Sequence, residues 1–311
     1  MCLHLSLEVH PAGVRNFPSQ AIHPINQPTK EISMKKFSSL ARAFAGIGLV
    51  AMHLTTPASA AASAAPPARP TVVLVHGAFA ESASWNDVAR DLRARSFPVV
   101  AAANPLRGVK SDADYVAAIV GSIQGPVVLV GHSYGGSVIS AAAAGKPNVQ
   151  ALVFVAAFAP EVGESAVDLS GKFPGSTLGP TLAAPVVLPD GSKDLYILQD
   201  KFGKQFAADV KPALAQLMAV SQRPITEGAL GEAAPAAAWK TVPSWFIYGD
   251  GDKNIPPAAL AFMAERAKSR KTVVVKGASH VVMTSQPKLV SRLIVEAAQA
   301  AGTAEATKAQ P

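Results

Sequence analysis

The sequence has a single cysteine, Cys2, in 311 residues. This excludes an intrachain disulfide, and in the body of the chain a thiolate nucleophile or a thiol-held metal, so the fold must stand on its apolar core. Aromatic residues are 6% and charged residues 16% of the chain, so the surface is sparsely charged. The formal charge is +7, but Arg15, Lys30, Lys35, Lys36 and Arg42 against Glu8 and Glu31 put three of those charges in the first sixty residues. Elsewhere the cations are scattered, with one local cluster from Arg266 to Lys276. Without a basic stripe or a nucleic-acid module, no nucleic-acid partner is expected. What is present is 49% hydrophobic residues, many of them alanine. That is a globular composition, with enough apolar surface for one large core.

Long hydrophobic runs are also missing. Phe44–Leu54 is apolar for about eleven residues, short of the roughly eighteen that a spanning helix needs, so no permanent membrane anchor is expected. That run follows Met34-Lys35-Lys36-Phe37 and precedes Ala58-Ser59-Ala60, which together give the basic, apolar and small-residue parts of a secretory signal peptide. Residues 34–60 are therefore expected to be a leader cleaved near Ala60, with the mature protein periplasmic or secreted. Residues 1–33 have no periodicity and precede the charged start, so translation is expected to begin at Met34. Ala61–Pro70 reads as an alanine- and proline-rich linker, and 301–311 as a disordered tail.

From Thr71 to about residue 300, strand-like apolar runs alternate with amphipathic segments: Thr71–Val75, Trp85–Arg95, Phe97–Ala102, Asp112–Ile123, Val127–Val130, Tyr134–Ala144 and Val149–Ala156. The rhythm resumes with Ser244–Tyr248, Pro257–Lys268, Thr272–Val275 and Pro287–Ala298. Apolar strands alternating with helices predict an α/β fold: a mostly parallel sheet of about six strands, covered on both faces. The interval 160–242 breaks the alternation with prolines at 174, 180, 185, 189, 212, 224 and 235 and helix-like patches at Leu195–Phe206 and Pro212–Val220. Inserted after a strand, it is expected to cap the ligand crevice. Phe173, Leu178, Phe202, Phe206, Leu217 and Met218 are candidates for lining that crevice, although most are expected to form the cap's own core.

Chemistry concentrates at Gly131-His132-Ser133-Tyr134-Gly135, between an apolar β-branched run and an alanine-rich helix. A serine at the apex of a tight strand-to-helix turn has an exposed hydroxyl and a strained backbone, and the glycines two before and two after let neighbouring backbone pass. Ser133 is thus the candidate nucleophile. It needs a base, and past residue 70 the histidines are His76, His132 and His280. His76 and His132 read as structural turn residues, whereas His280, in a loop after a strand, is the candidate base. Two aspartates compete to orient it in Gly249-Asp250-Gly251-Asp252. Asp252 is favoured because it lies deeper in the loop and Ile255-Pro256 closes the loop behind it, leaving Asp250 as a turn residue. The backbone N–H groups of Ala78 and Tyr134 are the candidate donors to a tetrahedral oxyanion. Phe79 and Trp239 are candidate substrate contacts, and Trp85 either joins them or anchors its helix.

The Gly-x-Ser-x-Gly turn, the upstream His76-Gly77 and the chain order Ser, Asp, His resemble the α/β-hydrolase superfamily over roughly Thr71 to Ala300. Leu74-Val75-His76-Gly77-Ala78-Phe79, Ser84-Trp85 and the Ser279-His280 loop are similar to its small cofactor-free branch of esterases, methyl-ester hydrolases, hydroxynitrile lyases and pyrethroid-type carboxylesterases. Relatives that dehalogenate or open epoxides carry aspartate where Ser133 stands, and dienelactone hydrolases carry cysteine. Hydroxynitrile lyases place lysine after the histidine, where this chain has Val281. The resemblance therefore implies a serine hydrolase acting on a small-molecule apolar ester, with no cofactor and no metal. Perhydrolase or haloperoxidase chemistry uses the same triad, and a non-catalytic ligand-binding member of the fold is the other alternative.

Overall fold

The computed structural model describes residues 69–308. The leader expected at 34–60, residues 1–33 and most of the 61–70 linker lie outside the described residues. Six strands form one parallel sheet: β1 (Thr71–Val75), β2 (Val99–Ala102), β3 (Val127–His132), β4 (Val149–Val155) and, beyond the cap, β8 (Ser244–Gly249) and β9 (Lys271–Val275). Their order is β2-β1-β3-β4-β8-β9. β3 and β8 are buried at every position, because helices cover both faces of a parallel sheet. Edge strand β9 alternates between exposed and half-buried residues.

The sheet's helices are α1 (Asn86–Ala94), α2 (Val109–Ser122), α3 (Gly135–Ala142), α8 (Pro257–Arg266), the short α9 (Val282–Ser285) and α10 (Pro287–Lys308). α1 packs with α10, and α2 with α3. The first crossover runs from β1 to β2, and the next carries the chain back past β1 to β3. Right-handed crossovers in opposite directions put their helices on opposite faces and open a crevice at the carboxyl ends of β1 and β3. His76-Gly77-Ala78 leaves one of these ends and Ser133 the other.

The cap contains α4 (Ala166–Gly171), α5 (Gln199–Phe206), α6 (Pro212–Ser221), α7 (Glu227–Gly231) and a small antiparallel sheet of β5 (Val186–Val187), β6 (Lys193–Leu195) and β7 (Ile225–Thr226). The first helix-like patch is thus split into a strand and a shorter helix. The intervening backbone is claimed by a side chain: Gln222 accepts from the Ile197 N–H and donates to the Ile197 carbonyl, both at 2.8 Å. The chain end also differs from expectation. Helix α10 continues to Lys308, so 301–308 is helical rather than patternless. Alanine, Glu305 and Lys308 favour helix strongly enough to carry it through Gly302, which costs only about 1 kcal/mol there.

Candidate active site

Ser133 sits at the β3–α3 turn with φ of 54°, a left-handed conformation that a non-glycine residue adopts at a cost of about 1–3 kcal/mol. Close backbone packing enforces it. A Cβ on Gly131 would lie 2.6 Å from the Gly135 carbonyl oxygen, and one on Gly135 would lie 2.6 Å from that of Val75. On Gly77 it would meet the Ser133 Cβ at 2.6 Å. The Ser133 carbonyl accepts from the Gly136 N–H at 2.9 Å and the Phe158 N–H at 3.1 Å, locking the turn to the chain beyond β4. Tyr134 anchors the other side, its buried hydroxyl donating to Asp112 Oδ2 at 3.0 Å. Burial, and then the adjacent Asp112, push the Tyr134 hydroxyl pKa far above its ordinary value, so it stays protonated.

Across the crevice, His280 Nδ1 and Asp252 Oδ2 are 2.6 Å apart, with both residues buried. The other Asp252 oxygen, Oδ1, accepts from the N–H groups of Asn254 at 2.8 Å and Ile255 at 3.0 Å. Of the two aspartates, Asp252 is the one in contact with His280. Asp250 is an exposed turn residue that accepts from the Gly277 N–H at 2.5 Å. Ser133 and His280 line one cavity of about 530 Å³. No direct hydrogen bond joins them, an arrangement common in ligand-free enzymes, where catalytic bonds tighten on substrate binding.

The candidate oxyanion donors also meet here. Ala78 lines the cavity, and the Cβ that Gly77 lacks would stand 3.1 Å from the Tyr134 nitrogen. Among the described residues, neither the Ala78 nor the Tyr134 N–H donates to another group. Phe79, at φ of 60°, has its own N–H tied to the Arg223 carbonyl at 3.0 Å.

The cavity is mostly apolar, with Phe79, Phe158, Phe173, Leu178, Phe206 and Ile255 among its walls. Of the six cap candidates, Phe173, Leu178 and Phe206 therefore line it. Phe202 is fully buried against Phe206, with ring centroids 4.9 Å apart, while Leu217 is 64% exposed on α6 and borders, with Met218, a separate groove. Phe79 is a wall residue of the cavity, and Trp239 is not. Its Nε1–H donates to the Pro160 carbonyl at 2.8 Å, and its ring lies under the Arg266 guanidinium at 5.3 Å. It therefore fastens the end of the cap to the cap's start, a role that nearness in sequence to the site cannot reveal. Trp85 is fully buried and anchors its helix in the core.

His132 does more than complete a turn. Its ring lies 4.8 Å from that of His280, and Nε2 is 3.2 Å from the His280 carbonyl. Complete burial, reinforced by the neighbouring His280, holds the His132 pKa well below its ordinary value. Its neutral ring can donate to that carbonyl and so supports the loop that presents His280. Ser279 is bonded to Asp209 of the cap, and Gln205 of α5 bonds Asn254 at 2.7 Å. None of Gln205, Asp209 or Asn254 stood out in the sequence. The one local signal was a polar amide, Asn254, placed between the acid and the apolar Ile255-Pro256.

The fold, the strained serine turn and the buried histidine–carboxylate pair define a class. The sequence profile of the alpha/beta hydrolase family matches residues 72–293, and the chain belongs to that family. It is similar to the alpha/beta hydrolase nvfD of Aspergillus novofumigatus (strain IBT 16806), with 29% identity over 182 residues, 55% of this chain and 70% of that protein. Its fold is shared with polyneuridine aldehyde esterase, at a TM-score of 0.65 and 20% identity, covering 73% of this chain and 98% of that one. It is shared too with a pyrethroid hydrolase from Sphingobium faniae JZ-2, at a TM-score of 0.59 and 21% identity, covering 74% and 98% of the two chains.

Proposed function

We propose that the protein is a serine hydrolase that cleaves a small to medium apolar carboxylic ester through an acyl-enzyme. The observation that carries this reading is the buried His280–Asp252 pair, 2.6 Å apart, at the cavity into which the strained Ser133 turn opens. Ser133 Oγ attacks the ester carbonyl while His280 Nε2 takes its proton. Asp252 holds His280 in the Nδ1–H tautomer and stabilises the imidazolium. The Ala78 and Tyr134 amides donate to the carbonyl oxygen as it becomes negative. His280 then gives its proton to the departing alkoxide, and the acyl group stays on Ser133. Water, deprotonated by His280, attacks that acyl group, releasing the acid and restoring the serine. The apolar walls favour hydrocarbon arms, in keeping with esterase and pyrethroid hydrolase among the structural neighbours.

The test is hydrolysis of p-nitrophenyl butanoate by purified Ser133→Ala protein. The rate is expected to fall by about a millionfold, and fluorophosphonate labelling of the wild type is expected to vanish in the variant. Unchanged hydrolysis by Ser133→Ala would falsify the assignment. The reading includes export: the basic, apolar and small-residue succession of 34–60 supports removal near Ala60. Mass spectrometry of the mature N-terminus checks it, and a mature chain that still contains Met34 overturns it.

A further inference from the structure

Two separate spaces meet at the base of the cap. One is the cavity of about 530 Å³ at Ser133 and His280. The other is a groove of about 320 Å³ along a seam, with Leu214, Leu217 and Met218 of α6 on one side and the chain around the short helical turn Ser82–Trp85 on the other. Phe79 borders both spaces, so at this point they are held apart by the thickness of one residue. Phe79 is only 3% exposed, and its ring packs edge-on against Phe206 with centroids 6.1 Å apart. Its N–H donates to the Arg223 carbonyl, just past the end of α6, at 3.0 Å. Its φ of 60° is a conformation that glycine adopts freely and a large side chain only under strain. The strain places an aromatic ring directly after Ala78, where glycine would leave an opening.

We infer that Phe79 is a partition that limits the substrate arm running towards α6, so that the preferred ester is short on this side and a longer arm enters the seam groove only when the ring is removed. This rests on the hydrolysis reading above. There the scissile carbonyl oxygen sits on the Ala78 and Tyr134 amides, so an arm leaving the carbonyl carbon passes the next residue, Phe79, within a few bonds. With the ring gone, an alkyl chain in the groove lies along Leu214 and Leu217, which are 41% and 64% exposed, and both surfaces gain by leaving water. A ring that merely fills the core acts differently. Its loss loosens the site for every ester alike and leaves the order of chain lengths unchanged.

Two ester pairs test it: p-nitrophenyl butanoate against decanoate for the acyl arm, and butyl against decyl acetate for the alcohol arm. The readout is the ratio of kcat/KM, long over short, compared between proteins so that intrinsic reactivity and any general loss of activity cancel. In at least one pair Phe79→Gly is expected to raise this ratio by about tenfold or more, which needs the burial of only about two further methylenes. Phe79→Leu keeps an apolar contact with Phe206 but is smaller than the ring. It is expected to raise the ratio less, and it stands in if the glycine variant does not fold. Exposed Ala83 lines the groove from the side opposite α6, so Ala83→Trp fills the groove without touching Phe79. Added to Phe79→Gly, it must return the ratio towards the wild-type value. Ratios unmoved by both Phe79 variants in both pairs overturn the inference, as does a gain that survives Ala83→Trp, since the arm then goes elsewhere. Failure of the wild type to cleave either short ester sinks the hydrolysis reading instead, and the same ratios are then read as dissociation constants of the four esters.

Discussion

The turn that carries Ser133 and the loops that carry Asp252 and His280 meet at one cavity but are held by different physics. The turn is fixed by exclusion. Gly131, Gly135, Gly136 and Gly77 pack backbone on backbone so closely that one added carbon has no room. The loops are fixed by directed bonds: two N–H groups on Asp252 Oδ1, the His280–Asp252 pair, His132 on the His280 carbonyl, and the cap residues Gln205 and Asp209 reaching Asn254 and Ser279. Close packing holds an atom rigidly and fails abruptly, whereas a hydrogen-bonded loop keeps its shape when one bond changes but loses the electronic state that the bond imposed. Nucleophile and base are thus expected to respond differently to small changes.

The largest effect tests the bonded half. In Asp252→Asn the two backbone N–H donors hold the amide oxygen at the Oδ1 position, so the amide NH2 is turned towards His280. It then favours the tautomer with the proton on Nε2, where Ser133 needs an acceptor. The expected loss in kcat is about 10⁴-fold with the thermal midpoint nearly unchanged. Asp250→Asn, whose exposed carboxylate serves only the Gly277 turn, is expected to stay within about threefold. A larger loss at Asp250 would reverse the assignment of the acid.

The packed half is tested next. A Cβ on Gly136 would stand 2.1 Å from the Phe158 carbonyl oxygen, so Gly136→Ala must push two backbone segments apart and is expected to cost more than about 3 kcal/mol. Gly228, exposed on α7 with nothing within 4 Å of its missing Cβ, is the control. There alanine is expected to be neutral or to stabilise by up to about 1 kcal/mol. Urea unfolding of both variants gives the comparison, and equal stabilities would mean that the turn is softer than its contacts imply.

This contrast also explains what could be read from the sequence. The six strands, the serine turn and the loops bearing Asp252 and His280 are local: each is a short apolar run ending in small or polar residues, and the parallel fold carries those ends to one edge. The bonds that steady the loops are long-range. Gln205 and Asn254 lie 49 residues apart, and Ser279 and Asp209 are 70 apart, with no periodicity to link them. The place of Trp239 away from the cavity wall is illegible for the same reason, since it depends on Pro160 at the far end of the cap. The cap's short strands, only two or three residues each, are too brief for an alternating pattern.

Acid is expected to strike the packed half through its two buried imidazoles, an effect smaller than the steric one. Burial lowers the His76 pKa from 6.5 to about 4, and His132 moves in the same direction. Both rings therefore stay neutral in the folded protein at a pH where the unfolded chain has bound protons. Stability is constant above about pH 6.5 on this account and falls as the pH drops from there towards 4. Across pH 6.5 to 5, His76 alone contributes a loss of about 2 kcal/mol. Glu161, Glu164, Asp168 and Asp190 have lowered pKa values, so their losses come below the ordinary carboxylate values of 4.5 and 3.8 and stay out of this window. Asp112, raised by burial, works in the opposite direction as the pH falls. Urea midpoints at pH 7, 6 and 5 provide the measurement. A flat profile would mean that the imidazoles beside Ser133 take up protons while folded, and that this half of the site is open to water rather than sealed by packing.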